Sequence, residues 1–363
     1  MSGQTPFDRL AGNPWFQLST AGQELFHSNM LYWLAKYRWT ESRPVWELLA
    51  PTLADRKDPP QVLREKRHID LTLRGKKDES FLVLENKTSA VPSRKQLEKY
   101  QDDLRKKGFE GHGHWVLLSL IEPASLPGPW EHVSYDKLGL ALERVSLDDE
   151  DAALLKGYRG LVAGLIQLSR DWLIHDEPAF VAQRFSYEKS AWDAMAEARM
   201  LTLVQKLRMS RFARIVQDRL SEGYPEVVPG LTRGLGLAEF FCDGADGIQF
   251  GWQIQGQQFR LAARTVKVGD EKKAATSALE DIKQGHNIFS GYFEAPECLA
   301  GLLPNGSDFM KTRSEFCTFG DEFIYKYKII PESFGFARVI EIARQMAEYA
   351  VVFCDGLRRE RVS

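Results

Sequence analysis

The sequence of 363 residues has little cysteine and no long apolar run. Its cysteines are Cys242, Cys298, Cys317 and Cys354. They lie far apart and form no Cys-x-x-Cys pair, which argues against a disulfide scaffold and against a zinc ribbon. No apolar run approaches the about 20 residues that a membrane span needs, and the N-terminus lacks the basic and then apolar plan of a signal peptide. These absences favour a reduced, cytoplasmic protein with no membrane-bound part.

Motifs of several enzyme and DNA-binding classes are also missing. The sequence contains no Walker lysine loop and no Gly-x-Ser-x-Gly elbow, which argues against a P-loop nucleotide hydrolase and against an α/β-hydrolase. It shows no helix-turn-helix and no zinc module that could supply sequence readout. No internal repeat or low-complexity tract is visible either. At 44% hydrophobic and 27% charged residues, the composition is that of an ordinary globular protein.

Positive charge is concentrated in one segment of the chain. Residues 56–107 carry 15 Lys and Arg against nine Asp and Glu, a local charge of +6 in a chain whose net charge is −2. The rest of the chain is therefore acidic. Such a local concentration is typical of a surface that binds a polyanion, although an unevenly charged solvated surface would give the same count.

Residues 20–38 read as a helix. Phe26, Met30, Trp33 and Tyr37 form an apolar stripe along it at helical spacing. Glu24 and Ser28 lie on a different side of the same helix.

A β-hairpin pattern follows this helix. Residues 68–75 alternate apolar and polar side chains, and a polar loop separates them from the apolar strand Phe-Leu-Val-Leu-Glu-Asn-Lys at 81–87. A loop centred on residues 77 and 78 pairs residues whose numbers add to 155, which places Asp70 opposite Glu85. Since residues i and i+2 of a strand share one face, Lys87 projects on the same side as Glu85.

The remaining pattern predicts an α/β fold. A helix at 92–108 carries Gln96 and Tyr100 on one face, and the apolar run at 114–121 has the length of a buried strand. We therefore predict a core domain at 1–145. Residues 146–363 should form a mainly helical C-terminal region of unknown role, with one β-hairpin near 247–267. In that hairpin the aromatic side chains fit a core better than a base-stacking surface; they are Phe250, Trp252 and Phe259.

The three charged residues of the first hairpin have the types and the placement for metal-dependent phosphodiester hydrolysis. Asp70 and Glu85 offer the hard oxygen ligands that a divalent cation needs. A metal ion there would neutralise phosphate charge and activate water, and Lys87 could orient that water. A plain ion pair between the two strands would place the same residues together. Such pairs are usual on exposed sheet faces, whereas the apolar residues at 81–84 occupy both sides of the strand and predict that it is buried.

The same motifs resemble a known family. Ile-Asp at 69–70, Leu-Glu-Asn-Lys at 84–87 and Gln-Leu-Glu-Lys-Tyr at 96–100 are similar to the PD-(D/E)XK nuclease superfamily. The segment 24–34 is similar to the first helix of its bacterial branch with Glu-Asn-Lys and Gln-x-x-x-Tyr motifs. The resemblance covers residues 20–135, and Ile69 stands where the family name has proline. It implies a restriction-endonuclease-like core with a central mixed β-sheet flanked by helices.

The resemblance also implies roles for individual residues. Asp70 and Glu85 would bind Mg²⁺ or Mn²⁺, with the backbone carbonyl of Asn86 as a third ligand. Lys87 would position the attacking water. Gln96 and Tyr100 would orient the lysine or contact a phosphate. Glu24 matches an additional acid that completes the metal site in some members.

These observations predict a metal-dependent nuclease that hydrolyses phosphodiester bonds, with DNA favoured as the substrate and RNA left open. The resemblance implies a prokaryotic setting such as genome defence, restriction or repair. The alternative is a non-catalytic module that keeps the nuclease fold and binds nucleic acid or a protein. The sequence leaves open whether the C-terminal region, residues 146–363, forms a homo-oligomer interface or binds a partner protein.

Overall fold

The computed structural model of the chain comprises two compact units. One unit comprises residues 1–173 and 189–207, and the other comprises 174–188 and 208–363. The structure describes residues 13–19, 23–66, 69–75, 80–88, 92, 94–106, 109, 113–123, 126–172, 193, 195–197, 199–232, 234–266, 270–285, 288–294, 316–331 and 334–360. Among these residues, no helix is long and apolar enough to cross a membrane.

The first unit is an α/β structure. Its helices are α1 (Pro14–Ser19), α2 (Gln23–Tyr37), α3 (Arg43–Leu49), α4 (Pro51–Ala54), α5 (Arg94–Arg105), α6 (Tyr135–Glu143) and α7 (Asp149–Trp172). Its strands are β1 (Gln61–Lys66), β2 (Ile69–Arg74), β3 (Phe81–Lys87), β4 (Gly113–Ser119) and β5 (Trp130–Ser134).

The five strands form one mixed sheet in the order β1-β2-β3-β4-β5. The first three strands are antiparallel neighbours, whereas β4 and β5 run parallel to β3. Strand β3 is therefore central and has neighbours on both sides, which explains why six of its seven residues are buried. This mixed sheet flanked by helices confirms the predicted fold class.

Helix α5 covers one face of this sheet. Leu97, Tyr100 and Leu104 recur at helical spacing, and they pack with sheet residues such as Val83 and Trp115. Because side chains alternate along a strand, Glu85 and Lys87 project from the same face as Val83. The helix predicted to carry Gln96 and Tyr100 thus lies on the side of the sheet that bears the hairpin charges.

Helix α2 was predicted correctly, but its apolar stripe coincides only in part with its buried side, through Met30. Leu31, Leu34 and Ala35 are fully buried, whereas Tyr37 is 57% exposed. The helix carries apolar residues around most of its circumference, so periodicity alone did not select one face. The compact aliphatic side packs inward, and several of the aromatic side chains are left at the surface.

The second unit contains a larger sheet than the single hairpin that we predicted. Its helices are α8 (Leu201–Gln217), of which the second half belongs to this unit, α9 (Asp270–Lys283) and α10 (Phe336–Glu360). Its strands are β6 (Val228–Thr232), β7 (Leu235–Asp243), β8 (Ile248–Gln255), β9 (Gln258–Thr265), β10 (Cys317–Thr318) and β11 (Phe323–Ile329). They form an antiparallel sheet in the order β10-β11-β9-β8-β7-β6.

The predicted hairpin is formed by β8 and β9, with Gly256 in the turn at a φ of +55°. Phe250, Trp252 and Phe259 are buried in the core, as expected. Close approach of β7 and β8 requires glycine at position 251, because a Cβ there would lie 1.8 Å from the carbonyl oxygen of Phe240. The prediction of a mainly helical region missed the four other strands of this sheet.

Candidate active site

The register of the first hairpin is the one predicted from residue numbers. Strand β2 pairs with β3 through Leu71–Leu84, Thr72–Val83, Leu73–Leu82 and Arg74–Phe81. Each of these pairs adds to 155, so the next position along the hairpin places Asp70 beside Glu85. The carboxylate of Asp70 accepts a hydrogen bond of 2.6 Å from the backbone N–H of Asn86, the residue that follows Glu85.

Glu85 is an acid inside the core. The residue is 1% exposed. Its Oε1 lies 3.0 Å from the ammonium nitrogen of Lys87, but its Oε2 is buried and has no hydrogen-bond partner among the residues that the structure describes. A buried polar atom without a partner costs free energy and calls for an explanation, such as a bound ion.

Lys87 is held between two acids. Besides the contact with Glu85, its ammonium nitrogen donates to Oε2 of Glu24 at 2.9 Å. The Lys87 side chain is 15% exposed and that of Glu24 is 30% exposed, so solvent reaches this end of the site. Glu24 comes from the first turn of α2, and the helix thereby brings a third carboxylate to the hairpin.

The electrostatics of the site are set mainly by burial. Burial raises the pKa of both Asp70 and Glu85 above the usual range. The charge of Glu24 raises both pKa values further, and the charge of Asp70 also raises that of Glu85. Lys87 opposes this rise in both acids. Burial also acts to lower the pKa of Lys87, but Glu85 and Glu24 outweigh it and raise that pKa. The site therefore contains a firmly charged lysine beside carboxyl groups that are costly to ionise together.

Asn86 lies on the opposite face of β3 and is fully buried. Its side-chain Nδ2 donates to the backbone carbonyl of Glu24 at 3.1 Å, and its Oδ1 accepts a bond of 2.7 Å from the hydroxyl of Tyr135. With the bond from its N–H to Asp70, Asn86 connects β2, α2 and α6. The asparagine between the glutamate and the lysine thus fixes the backbone from which both project.

Gln96 and Tyr100 bond to each other on α5. Nε2 of Gln96 donates to the hydroxyl of Tyr100 at 2.6 Å, as the i, i+4 spacing permits. Burial raises the pKa of Tyr100, and the charges of Glu85, Lys87 and Asp70 are near enough to influence it further. The two residues thus lie at the border of the site.

Sequence reasoning missed a buried polar cluster behind β3. The ring of Tyr135, whose hydroxyl binds Asn86, packs edge-on against the ring of His27, with 5.4 Å between the ring centres. On His27, Nδ1 lies 3.0 Å from the hydroxyl of Tyr158. Burial lowers the pKa of His27 to about 3, so the ring is neutral. Tyr135 is 49 residues from Asn86 in the chain, and no local pattern marks that pairing. Ser28 was also missed; its hydroxyl donates to the backbone carbonyl of Glu24 at 2.8 Å and lies near enough to Asp70 to lower the pKa of that carboxyl group.

The donor set suits a small hard cation. In the described part of the chain, no three or more His, Cys, Asp or Glu side chains gather into a group that could hold a metal ion. Asp70 and Glu85 nevertheless offer carboxylate oxygens as ligands, and Oε2 of Glu85 is buried with no partner from the same described residues. Mg²⁺ in proteins is commonly bound by one or two carboxylates and keeps several waters. The residues therefore fit such an ion without a closed cage of protein ligands.

Comparison with known proteins identifies the segment that contains the hairpin. Residues 53–138 match a family model described as the PD-(D/E)XK nuclease superfamily. The match confirms the resemblance drawn from the motifs at 69–70, 84–87 and 96–100. Glu24 lies outside the matched segment. No curated protein and no solved structure matches the chain.

Proposed function

From a domain of the PD-(D/E)XK nuclease superfamily at residues 53–138, we propose that this protein is a metal-dependent nuclease. The observation that carries the proposal is Glu85, a core acid with one oxygen paired to Lys87 and the other without a partner in the described part of the chain. A protein gains nothing in stability from such an atom. A divalent cation would satisfy it and would lower the cost of ionising Asp70 beside it.

Each residue has a defined part in the proposed chemistry. Asp70 and Glu85 would hold Mg²⁺ or Mn²⁺, together with the backbone carbonyl of Asn86. When bound, the metal would neutralise phosphate charge and activate water for attack on the phosphodiester. Lys87, held charged by its neighbours, would orient that water and stabilise the negative charge that develops on the phosphate.

Three further residues would support this centre. Gln96 and Tyr100 would orient Lys87 or contact a phosphate oxygen, because the phenol lies within electrostatic reach of the charged residues. Glu24 would hold the lysine in the metal-free protein and could add an oxygen ligand on metal binding. Its side chain is partly exposed, so it has room to change partners.

DNA is the proposed substrate. The +6 charge of residues 56–107 suits a polyanion. Hydrolysis of DNA by such a protein would suit prokaryotic genome defence, restriction or repair.

Cleavage assays with matched variants test this function. Linear, circular and single-stranded DNA, and RNA, would be incubated with Mg²⁺ or Mn²⁺ and with the wild type, Glu85→Ala or Lys87→Ala. We expect cutting of DNA that falls at least about 100-fold in both variants, which is typical for loss of a group that stabilises developing charge. Glu98→Ala on α5 and Lys156→Ala on α7, an exposed lysine outside residues 56–107, provide matched controls that should keep the activity. Wild-type protein that never cuts with either metal would contradict the proposal.

A structural ion pair is the second candidate, since Lys87 already contacts two carboxylates. Under that hypothesis the domain would bind nucleic acid or a protein without turnover. Glu85→Gln would then alter the free energy of unfolding and leave metal affinity unchanged. Nucleic-acid binding that persists in Lys87→Ala, without cleavage by the wild type, would favour this candidate.

A further inference from the structure

Cationic and aromatic side chains share one surface of α2 and the neighbouring edge strand β1. Tyr32, Lys36 and Tyr37 of α2 and Arg64 of β1 make up this α2–β1 patch. The Lys36 ammonium lies 5.6 Å from the ring centre of Tyr32 and 5.9 Å from that of Tyr37. The guanidinium carbon of Arg64 lies 4.8 Å from the ring centre of Tyr32.

The patch is open to solvent and is not part of the core. Lys36 and Arg64 are exposed, and Tyr37 is 57% exposed. Contacts between a cation and an aromatic ring that matter energetically occur about once per 70–80 residues. Three of them within one small surface are a local concentration that packing of the core does not require.

The two cations of the patch lack acidic partners. Among the described residues neither Lys36 nor Arg64 forms a salt bridge; Arg64 donates instead to the amide oxygen of Asn29 at 2.6 Å. The hydroxyl of Tyr32 hydrogen-bonds with Lys36 and raises the pKa of that lysine, while the nearby charge of Arg64 opposes the rise. Two adjacent like charges repel each other, and a bound anion would relieve that repulsion.

The same helix carries both the patch and an acid of the proposed active site. Glu24 and Lys36 are 12 residues apart, so about 18 Å of helix separates them. At about 3.4 Å per base step of one strand, this distance corresponds to about five steps. A nucleic acid at the active site could therefore reach the patch.

We propose that the α2–β1 patch binds the nucleic acid, with Lys36 and Arg64 on phosphates and Tyr32 and Tyr37 stacked on unpaired bases. Positive groups that follow the backbone, combined with aromatic rings under the bases, are the usual means of binding single strands. The assignment rests on the proposed nuclease function for the nature of the ligand. Binding at the patch requires no cleavage, so a binding measurement alone can test the assignment.

Fluorescence anisotropy provides the test. A labelled DNA single strand of about 20 nucleotides would be titrated with protein in EDTA, over a series of salt concentrations. For the double variant Lys36→Ala/Arg64→Ala we expect affinity to fall about tenfold. The salt slope, meaning the slope of the logarithm of affinity against the logarithm of salt concentration, should fall in magnitude by about 1.4, since each phosphate contact on a single strand contributes about 0.7. For Tyr37→Ala we expect about 5- to 150-fold weaker binding with an unchanged salt slope, because stacking is not ionic.

Two control variants separate the patch from general effects of charge and exposure. Arg43→Ala removes an exposed arginine of the same unit that is already paired with Glu47 and Asp55, and Phe319→Ala removes an exposed ring of the second unit. Both should bind like the wild type. If the wild type binds and the patch variants match the controls in affinity and salt slope, the patch assignment is wrong while the nuclease proposal stands. A wild type that neither binds nor cuts nucleic acid overturns both.

Discussion

At the scale of single residues, the site is built from side chains that are costly to bury alone. Within the described ranges Oε2 of Glu85 has no partner, and Lys87 is held charged by Glu85 and Glu24. His27 behind the sheet is also buried, but it avoids the cost of burial by remaining neutral. The charged groups therefore concentrate on the face of β3 toward α5, and the neutral polar groups lie on the other face.

The neutral state of His27 predicts a loss of stability in acid. An unfolded chain protonates this histidine below about pH 6.5, whereas the folded protein resists protonation down to about pH 3. Its contribution to stability is thus complete above about pH 6.5 and declines as the pH falls toward 3. In that range it is lost at up to about 1.4 kcal/mol per pH unit.

Urea unfolding of the wild type and of His27→Gln between pH 7 and pH 5, in EDTA, would measure this effect. We expect the wild type to lose more of its unfolding free energy over this range than the variant, by about 2 kcal/mol. If the unfolding free energies of the two proteins fall equally with pH, the buried ring of His27 does not resist protonation.

At the scale of secondary-structure elements, Tyr135 connects helix α6 to the backbone of the site. Its hydroxyl is the donor to the buried Oδ1 of Asn86, and loss of that donor leaves a buried oxygen unpaired at a cost of about 1–3 kcal/mol. Tyr135→Phe should therefore lower both the free energy of unfolding and the affinity for Mn²⁺. The second effect arises because Asn86 positions Asp70 and the carbonyl that would bind metal.

Tyr158→Phe is the matched control for this prediction. It also removes one buried phenol hydroxyl from the cluster, but that hydroxyl contacts His27 and not Asn86. We expect a comparable loss of stability without a comparable loss of metal affinity. Calorimetric Mn²⁺ titrations and urea unfolding would be run on both variants. Equal metal affinity in the two would show that the bond to Asn86 has no positioning role.

Elements formed by local pairing were the ones that the sequence predicted well. The polar loop of the first hairpin determines which residues of β2 and β3 face each other, so the register could be found from residue numbers. The bond from Tyr135 to Asn86 spans 49 residues and depends on how α6 docks, which no spacing rule encodes. How α2 and α5 dock on the sheet is likewise not encoded by spacing, so the roles of Gln96, Tyr100 and Glu24 rest on proximity in the structure and on the family resemblance.

At the scale of the whole molecule, the prediction was less complete in the second unit. Strand β11 pairs with β9 across more than 50 intervening residues, and such pairing leaves no short-range pattern. Strand β6 contains Pro229 and Gly230, residues that are unusual within a strand, and it lies at the edge of the sheet. A boundary near residue 145 and the role of residues 146–363 remain predictions, as do a cytoplasmic location and an oligomer or protein partner through that region.

The central claim is that Asp70 and Glu85 hold a divalent metal, and titration calorimetry of the metal-free protein with Mn²⁺ tests it most directly. Wild type, Glu85→Gln and the exposed control Glu98→Gln would be compared at one pH. We predict binding by the wild type and by Glu98→Gln, and at least tenfold weaker binding by Glu85→Gln, since the amide cannot supply a charged oxygen ligand. Absence of binding in the wild type, or equal affinity in all three proteins, would contradict the claim.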